Sequence, residues 1–380
     1  MMNYLAEFLL LFLPLYLKVT PCGSIPYKTF RAENPVKIGL LVTSKNSLSA
    51  VYAAELAVSN ANKAGGLNGR PFQLEVRSLE GPWGTGSKQA VDLIFNEKVW
   101  ALIGSHDGRN AHLIEQAATK ATVVFLSCWA GDPSLSQAFV PWFFNCVHND
   151  EQQASIIVSL ITDKNRSVRI TAVTDDDDYD SRVSFASLKK NLERTGKLNL
   201  LVLESRKYNN DFKSLAEKIK ESSPDYILIY CRPQISSDIL LQMKNQKINQ
   251  PVIGPAHTIN EDILSPADMK HFDNFFLTPS DKWAEEAFKR FKADYEKKYG
   301  ISPGPVASYM YDGMNVLIEA IRKAGNPDRE KIQKTLYEID YKGITGRIRF
   351  DQRGNRNGIL ELEKTVSGIP APSLQTSLPK

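Results

Sequence analysis

The densest group of chemically capable side chains is Asp175-Asp176-Asp177-Asp178-Tyr179-Asp180, directly behind the apolar run Ile170 to Val173. Carboxylates at the carboxyl end of a buried strand stand where open α/β sheets bind ligands, and their hard oxygens suit a divalent cation. The run lacks the spaced Asp/Asn donors, the glycine and the closing glutamate of a calcium loop, so a solvated turn capping the next helix is the stronger reading. The five histidines are scattered: His106 and His112 fall six apart, while His148, His257 and His271 stand singly, which is no zinc pattern. Cys128, Cys146 and Cys231 have no CxxC spacing either. In an oxidising compartment Cys128 and Cys146 are the pair to test for a disulfide, against the alternative of buried free thiols. The chain has no GxGxxG behind a strand, no GxxxxGK[ST], no GxSxG and no HExxH. The common phosphate, nucleophile and zinc chemistries are therefore without a motif, and no metal, cofactor or catalytic residue is assigned.

The elements that must position these groups alternate along the chain. Val36, Ile38, Leu40 and Val42 recur with period two; Val51, Ala54, Val58 and Ala61 follow at helical spacing and Gly65-Gly66 stops them. Phe72 to Arg77 alternates as a strand, Ser87 to Glu97 reads as a helix, Trp100 to Ile103 as a buried strand, and a helix over Ala111 to Lys120 leads into a strand at Thr122 to Leu126. After a less regular stretch, Trp129 to Asn149, the rhythm restarts with strands near Ile170 to Val173, Leu198 to Leu203, Tyr226 to Tyr230 and Val252 to Ile253, with helices such as Asp211 to Glu221 and Ser236 to Lys247 between them. Units of this length require parallel strands with right-handed crossovers, hence two doubly wound α/β lobes. The helices expected over Asp281 to Tyr299, Val306 to Ala324 and Arg329 to Ile339 come too late to extend the second sheet and are expected to return to the first lobe.

The 380 residues, 42% hydrophobic and 24% charged, suffice for two domains with their own cores. A net charge of +4 gives none of the concentrated basic surface that binding nucleic acid requires. Leu5 to Leu17 is apolar but for Glu7 and Pro14 and too short to span a bilayer, so it reads as an export signal. Cys22 then stands where a bacterial lipoprotein is acylated, although Pro21 departs from the small residue that pattern uses. Simple secretion is the alternative, and the membrane enters only through such an anchor.

Val36-Lys37-Ile38-Gly39-Leu40, followed by Ala61-Asn62-Lys63-Ala64-Gly65-Gly66-Leu67-Asn68-Gly69, resembles the opening of type I periplasmic binding proteins of the branched-chain amino acid class. Gln89-Ala90-Val91, Asp132-Pro133, Asp178-Tyr179, Gly254-Pro255 and Tyr309 to Gly313 extend the resemblance to about Asn357. It implies two lobes joined by a three-strand hinge, a small polar or carboxylate-bearing ligand held between them (amino-acid-like, an amide, or an organic or aromatic acid), and delivery to an ABC transporter permease. The crossings fall near Asn149, Thr278 and Thr345. Lobe one is then 36–148 plus 279–344, lobe two 149–278 plus 345–365, residues 1–22 a signal or lipoprotein-like segment, and 366–380 a loose tail.

Carried over position by position, the resemblance implies ligand contacts from Gly108, Arg109 and Asn110, from Trp129, Ala130 and Gly131, from Asp178 and Tyr179, and from Arg232 and His257. The family's serine cluster is missing from the loop Ser105 to Asn110, and Ala256 stands where the family has an acid for an amino acid's ammonium. Arg109 and Arg232 would then clamp an anion, unless they are surface charges, and Trp129 would stack on a planar ligand, unless it packs between the lobes. Two further readings are a ligand sensor of the same fold acting on a separate receptor or regulator, and an α/β enzyme using Asp178, Tyr179 and His257 across the cleft.

Overall fold

A computed structural model describes residues 34–371 except 106, 138–139, 163–166, 196–197, 278–282 and 359. The segment Leu5 to Leu17, Cys22, His106 and the crossing expected at Thr278 lie outside the described residues. In chain order the elements are β1 (Val36–Val42), α1 (Leu48–Lys63), β2 (Phe72–Ser78), α2 (Thr85–Val91), β3 (Ala101–Ser105), α3 (Gly108–Lys120), β4 (Val124–Ser127), α4 (Ser134–Gln137), β5 (Phe143–Asn145) and α5 (Asp150–Ile161). There follow β6 (Val168–Thr174), α6 (Tyr179–Glu193), β7 (Leu198–Glu204), α7 (Phe212–Glu221), β8 (Tyr226–Tyr230), α8 (Pro233–Asn245), β9 (Val252–Gly254), α9 (Pro266–Met269) and β10 (Phe276–Leu277). The chain closes with α10 (Glu285–Tyr299), α11 (Pro305–Ala324), α12 (Arg329–Tyr337), β11 (Tyr341–Gly343), β12 (Gly346–Ile348), β13 (Glu363–Val366) and β14 (Ile369–Pro370).

Period-two side chains put two cores on each sheet. Within β1, Val36, Ile38, Leu40 and Val42 enter one core of the first sheet and Leu41 the other. Within β8, Ile227 and Ile229 enter one core of the second sheet and Tyr226, Leu228 and Tyr230 the other. The first sheet runs β2-β1-β3-β4-β5, all parallel; the second runs β14-β13-β10-β9-β8-β6-β7, parallel from β10 to β7, with β13 and β14 antiparallel. This is the expected pair of doubly wound lobes. Phe291 and Tyr295 of α10, the apolar face of α11, and Ile332 and Leu336 of α12 all pack into the first sheet's core.

The stop behind α1 has a local cause. Gly65 and Gly66 take φ of 101° and 61°, and a Cβ on Gly66 would stand 2.1 Å from the Arg70 carbonyl oxygen. Asn62 meanwhile donates to the Phe72 carbonyl at 2.9 Å and accepts the Phe72 N–H at 2.8 Å, tying the helix end to β2. Gly66→Ala is therefore expected to lower stability by about 1–3 kcal/mol, read as a shifted denaturant midpoint.

Three expectations are corrected. The helix read over Ser87 to Glu97 is α2 followed by a π-helical turn, Asp92–Asn96, which buries Leu93 and Ile94. The chain does not leave the first lobe at Thr345: Ile348 and Phe350 remain in the first core, Phe350 edge-on to Phe144, and Asn145 bridges Asn355. It touches the start of α5 at Asn355 and Arg356 and joins the second sheet and its core at Leu362 and β13. Nor is the chain from Val366 to Ala371 loose, since Ser367 and Gly368, at φ 49° and 71°, turn β13 back into β14.

Candidate functional site

The carboxyl ends of the two parallel sheets face each other, and the loops there meet directly. Gly108 N–H, at the start of α3, donates to Asp180 on α6 at 2.9 Å, and the Tyr179 hydroxyl donates to Asp132, behind β4, at 2.7 Å. Further along, Ser49 N–H donates to Asp262 at 2.8 Å, and the carboxylate of Glu261 accepts from Gly304, Val306 and Ala307 N–H, capping α11. The lobes are therefore closed on each other. Asp132 is the centre of the contact: besides Tyr179 it accepts Ser134 N–H and hydroxyl at 2.8 and 2.6 Å and faces His112 Nε2 at 3.2 Å. Though burial opposes it, these bonds hold the Asp132 carboxyl below the usual range, while Asp132 and Glu115 push the His112 imidazole up to about 9.

Behind this contact lies a buried interior. Asp150, the first residue of α5, donates its N–H to the Gly131 carbonyl at 2.7 Å, and a Cβ on Gly131 would meet its carboxylate at 2.5 Å. Burial, reinforced by the charge of Asp132, pushes the Asp150 carboxyl up to about 7. Burial likewise holds Asp180 well above its ordinary value. Ser127 Oγ at the end of β4, both ring nitrogens of His148, Thr174 Oγ1 at the end of β6, His257 Nε2 and Thr258 Oγ1 behind β9 are buried without a hydrogen-bond partner among the described residues. Orphaned polar atoms gathered at strand ends are what a polar ligand would satisfy. Burial depresses the imidazoles, His148 to about 3 and His257 to about 4, so both are neutral at physiological pH.

The residues singled out in the sequence separate into groups. Gly108, Gly131 and Tyr179 meet at the lobe contact, and His257 joins the orphaned set. Ala130 is buried, its carbonyl accepting from Asn145 at 2.8 Å. Asn110 is bonded to Asp107, and Asp178 caps α6 by accepting Ser181 N–H at 2.9 Å. Trp129 packs edge-on to Tyr309, 6.0 Å between ring centroids, as part of the first core. The two arginines do not form the expected clamp. Arg232 is spent on a bidentate pair with the buried Asp175, and Arg109 is exposed, its guanidinium 5.8 Å from the Tyr179 ring centroid. The acidic run is likewise divided among Arg232, Arg206, the α6 cap and Gly108, and among the described residues no cluster able to hold a metal forms. Cys128 and Cys146 are free buried thiols, not a disulfide. Both border Gly313, where a Cβ would stand 2.3 and 3.4 Å from their sulfurs.

Sequence reading missed Asp150, Asp132, His148, Ser127, Thr174 and Thr258. The available signal was positional: each stands at or just behind the carboxyl end of a strand, or on the chain entering α5.

The sequence profile of the periplasmic binding protein family matches residues 35–359. The leucine-, isoleucine-, valine-, threonine- and alanine-binding protein of Pseudomonas aeruginosa is 23% identical over 317 residues, 80% of each chain. In structure the chain is similar to the isoleucine-bound branched-chain amino acid transporter substrate binding protein of Streptococcus pneumoniae, with a TM-score of 0.74, 21% identity and coverage of 89% of this chain and 98% of that one. It is also similar to a solute binding protein of an ABC transporter from Rhodopseudomonas palustris in complex with 3,4-dihydroxybenzoic acid, with a TM-score of 0.72, 20% identity and coverage of 91% and 98%. With the profile spanning both lobes, the chain belongs to the periplasmic binding protein family.

Proposed function

We propose that this solute-binding protein captures a small amine-bearing solute, amino-acid-like in chemistry, and presents the closed form to an ABC-type permease in the periplasm. The observation that carries the ligand class is Asp150, a carboxyl buried where the lobes meet, with Asp132 and Asp180 nearby and no cation acting on it among the described residues. Such a group gains a strong partner in an ammonium and meets repulsion from a second carboxylate. Asp150 thereby takes the role of the acid missing at Ala256. Of the chemistries bound by the relatives, isoleucine fits this lining better than 3,4-dihydroxybenzoic acid. Ser127, His148, Thr174, His257 and Thr258 supply hydrogen bonds for the rest of the ligand. An export segment at Leu5 to Leu17, with or without acylation at Cys22, would deliver the protein to that compartment.

The test is a thermal-shift screen that pairs each amino acid with its deaminated acid, since a ligand bound only by the folded state raises Tm. Stabilisation by the amino acid and not by its partner is expected; the reverse order sinks the ammonium assignment. For any such hit, Tyr179→Phe removes a hydrogen bond to a charged acceptor made across the lobes. The variant is expected to bind about tenfold more weakly, by calorimetry, with little change in the unfolding midpoint.

A further inference from the structure

A second concave site lies on lobe two, at the amino ends of β9 and β10 and therefore at the opposite end of the sheet from the cleft. It is a pocket of about 740 Å³. Lys244 enters it from the last turn of α8, Lys247 from the turn that follows, Lys270 from the segment ahead of β10, and Lys364 from β13. Met243 and Phe276, both buried, give it an apolar floor, and the Lys364 ammonium lies 5.9 Å from the Phe276 ring centroid. Among the described residues Asp273 is the one acid in the lining, and its carboxylate already accepts Ser367 N–H at 2.6 Å.

None of the four lysines has an acidic partner among the described residues. Some lysines elsewhere on the protein do: Lys207 pairs with Glu204, Lys218 with Glu221 and Lys289 with Glu285. Four ammonium groups around one small concavity repel one another, and a bound polyanion relieves that repulsion. The volume is that of one small organic molecule, and the concave shape suits such a ligand better than a flat protein face.

We propose that this pocket is a second binding site, separate from the cleft, for a phosphate ester with an apolar body. The compact lysine charges hold the phosphate, and the body rests on Met243 and Phe276.

The experiment titrates adenosine monophosphate, as the probe, into full-length protein labelled with 13C at the methionine methyls. The Met243 methyl is expected to shift saturably. Adenosine and inorganic phosphate, each offering half of the chemistry, are expected to bind at least about tenfold more weakly. The double variant Lys244→Gln/Lys270→Gln should weaken the probe by at least about tenfold while keeping the wild-type unfolding midpoint, because both side chains are exposed. An unmoved Met243 methyl at ~10 mM probe, or equal affinity in the double variant, overturns the proposal. Phosphate alone binding as tightly as the nucleotide removes the apolar half of the site. Sedimentation with phosphatidylglycerol vesicles without any response to the nucleotide assigns the lysines to a membrane surface and overturns it as well.

Discussion

Asp150→Asn is expected to weaken an amine-bearing ligand by roughly a hundredfold or more, because a buried ammonium then loses its charged partner. Protonation makes the prediction specific. With its carboxyl near 7, Asp150 holds a proton through much of the mildly acidic range. An arriving ammonium favours the ionised form, so binding at pH 6 should release up to about one proton per ligand, and binding at pH 9 none. Calorimetry in buffers of different ionisation enthalpy reads this directly. Proton release unchanged in the variant would place the titrating group elsewhere.

The same carboxyl sets a pH dependence of the unliganded fold. Its folded value lies above its unfolded one, so between about pH 4 and pH 7 the folded state keeps a proton that the unfolded chain gives up. Stability from this group therefore falls as pH rises through that window, by at most about 4 kcal/mol. Glu261, also pushed up to about 7 by burial, adds a slope of the same sign that Asp150→Asn leaves in place. The His112 pair with Asp132 acts at higher pH: its stabilisation is full below the unfolded histidine value and is lost as pH rises through about 9.

The second large effect is expected at Arg356. Its side chain is fully buried and donates to the Cys146 carbonyl at 2.9 Å, the Thr345 hydroxyl and carbonyl at 3.1 and 2.9 Å, and the Arg347 carbonyl at 3.1 Å. The Thr345 hydroxyl in turn donates to the buried Asp312 at 2.6 Å, and Asp312 also accepts Ile344 and Thr345 N–H. The guanidinium thus joins the chain leaving β5 to the chain around β12. Arg356→Met strands several buried carbonyls and leaves Asp312 without its nearby cation, for an expected loss of about 3–5 kcal/mol in denaturant unfolding. Arg356→Lys should recover little, since one ammonium cannot reproduce the planar fork. A double-mutant cycle with Asp312→Asn should show coupling above about 0.5 kcal/mol; simple additivity would mean that Thr345 does not connect the two charges.

The sequence by itself determined the elements whose causes are local. Period-two burial in β1 and β8 is written in alternating residues, and the end of α1 in two glycines at positive φ. It also determined the parallel sheets, because strand-helix units of this length leave no other connection. β5, at three residues, is too short to display a period, and β14 becomes a strand only because β13 lies beside it. The site was legible as a region: strand ends facing a cleft, with Gly108, Gly131, Tyr179 and His257 among its residues. Its chemistry was decided by tertiary pairing. Tyr179 meets Asp132 across 47 positions, and Arg232 finds Asp175 across 57. A charged residue reads the same in sequence whether it is free or matched, and only the fold brings the partner that decides it. For this reason Arg232 is neutralised by Asp175, while Asp150, which has no sequence pattern, is left as a buried acid between the lobes with no cation acting on it among the described residues.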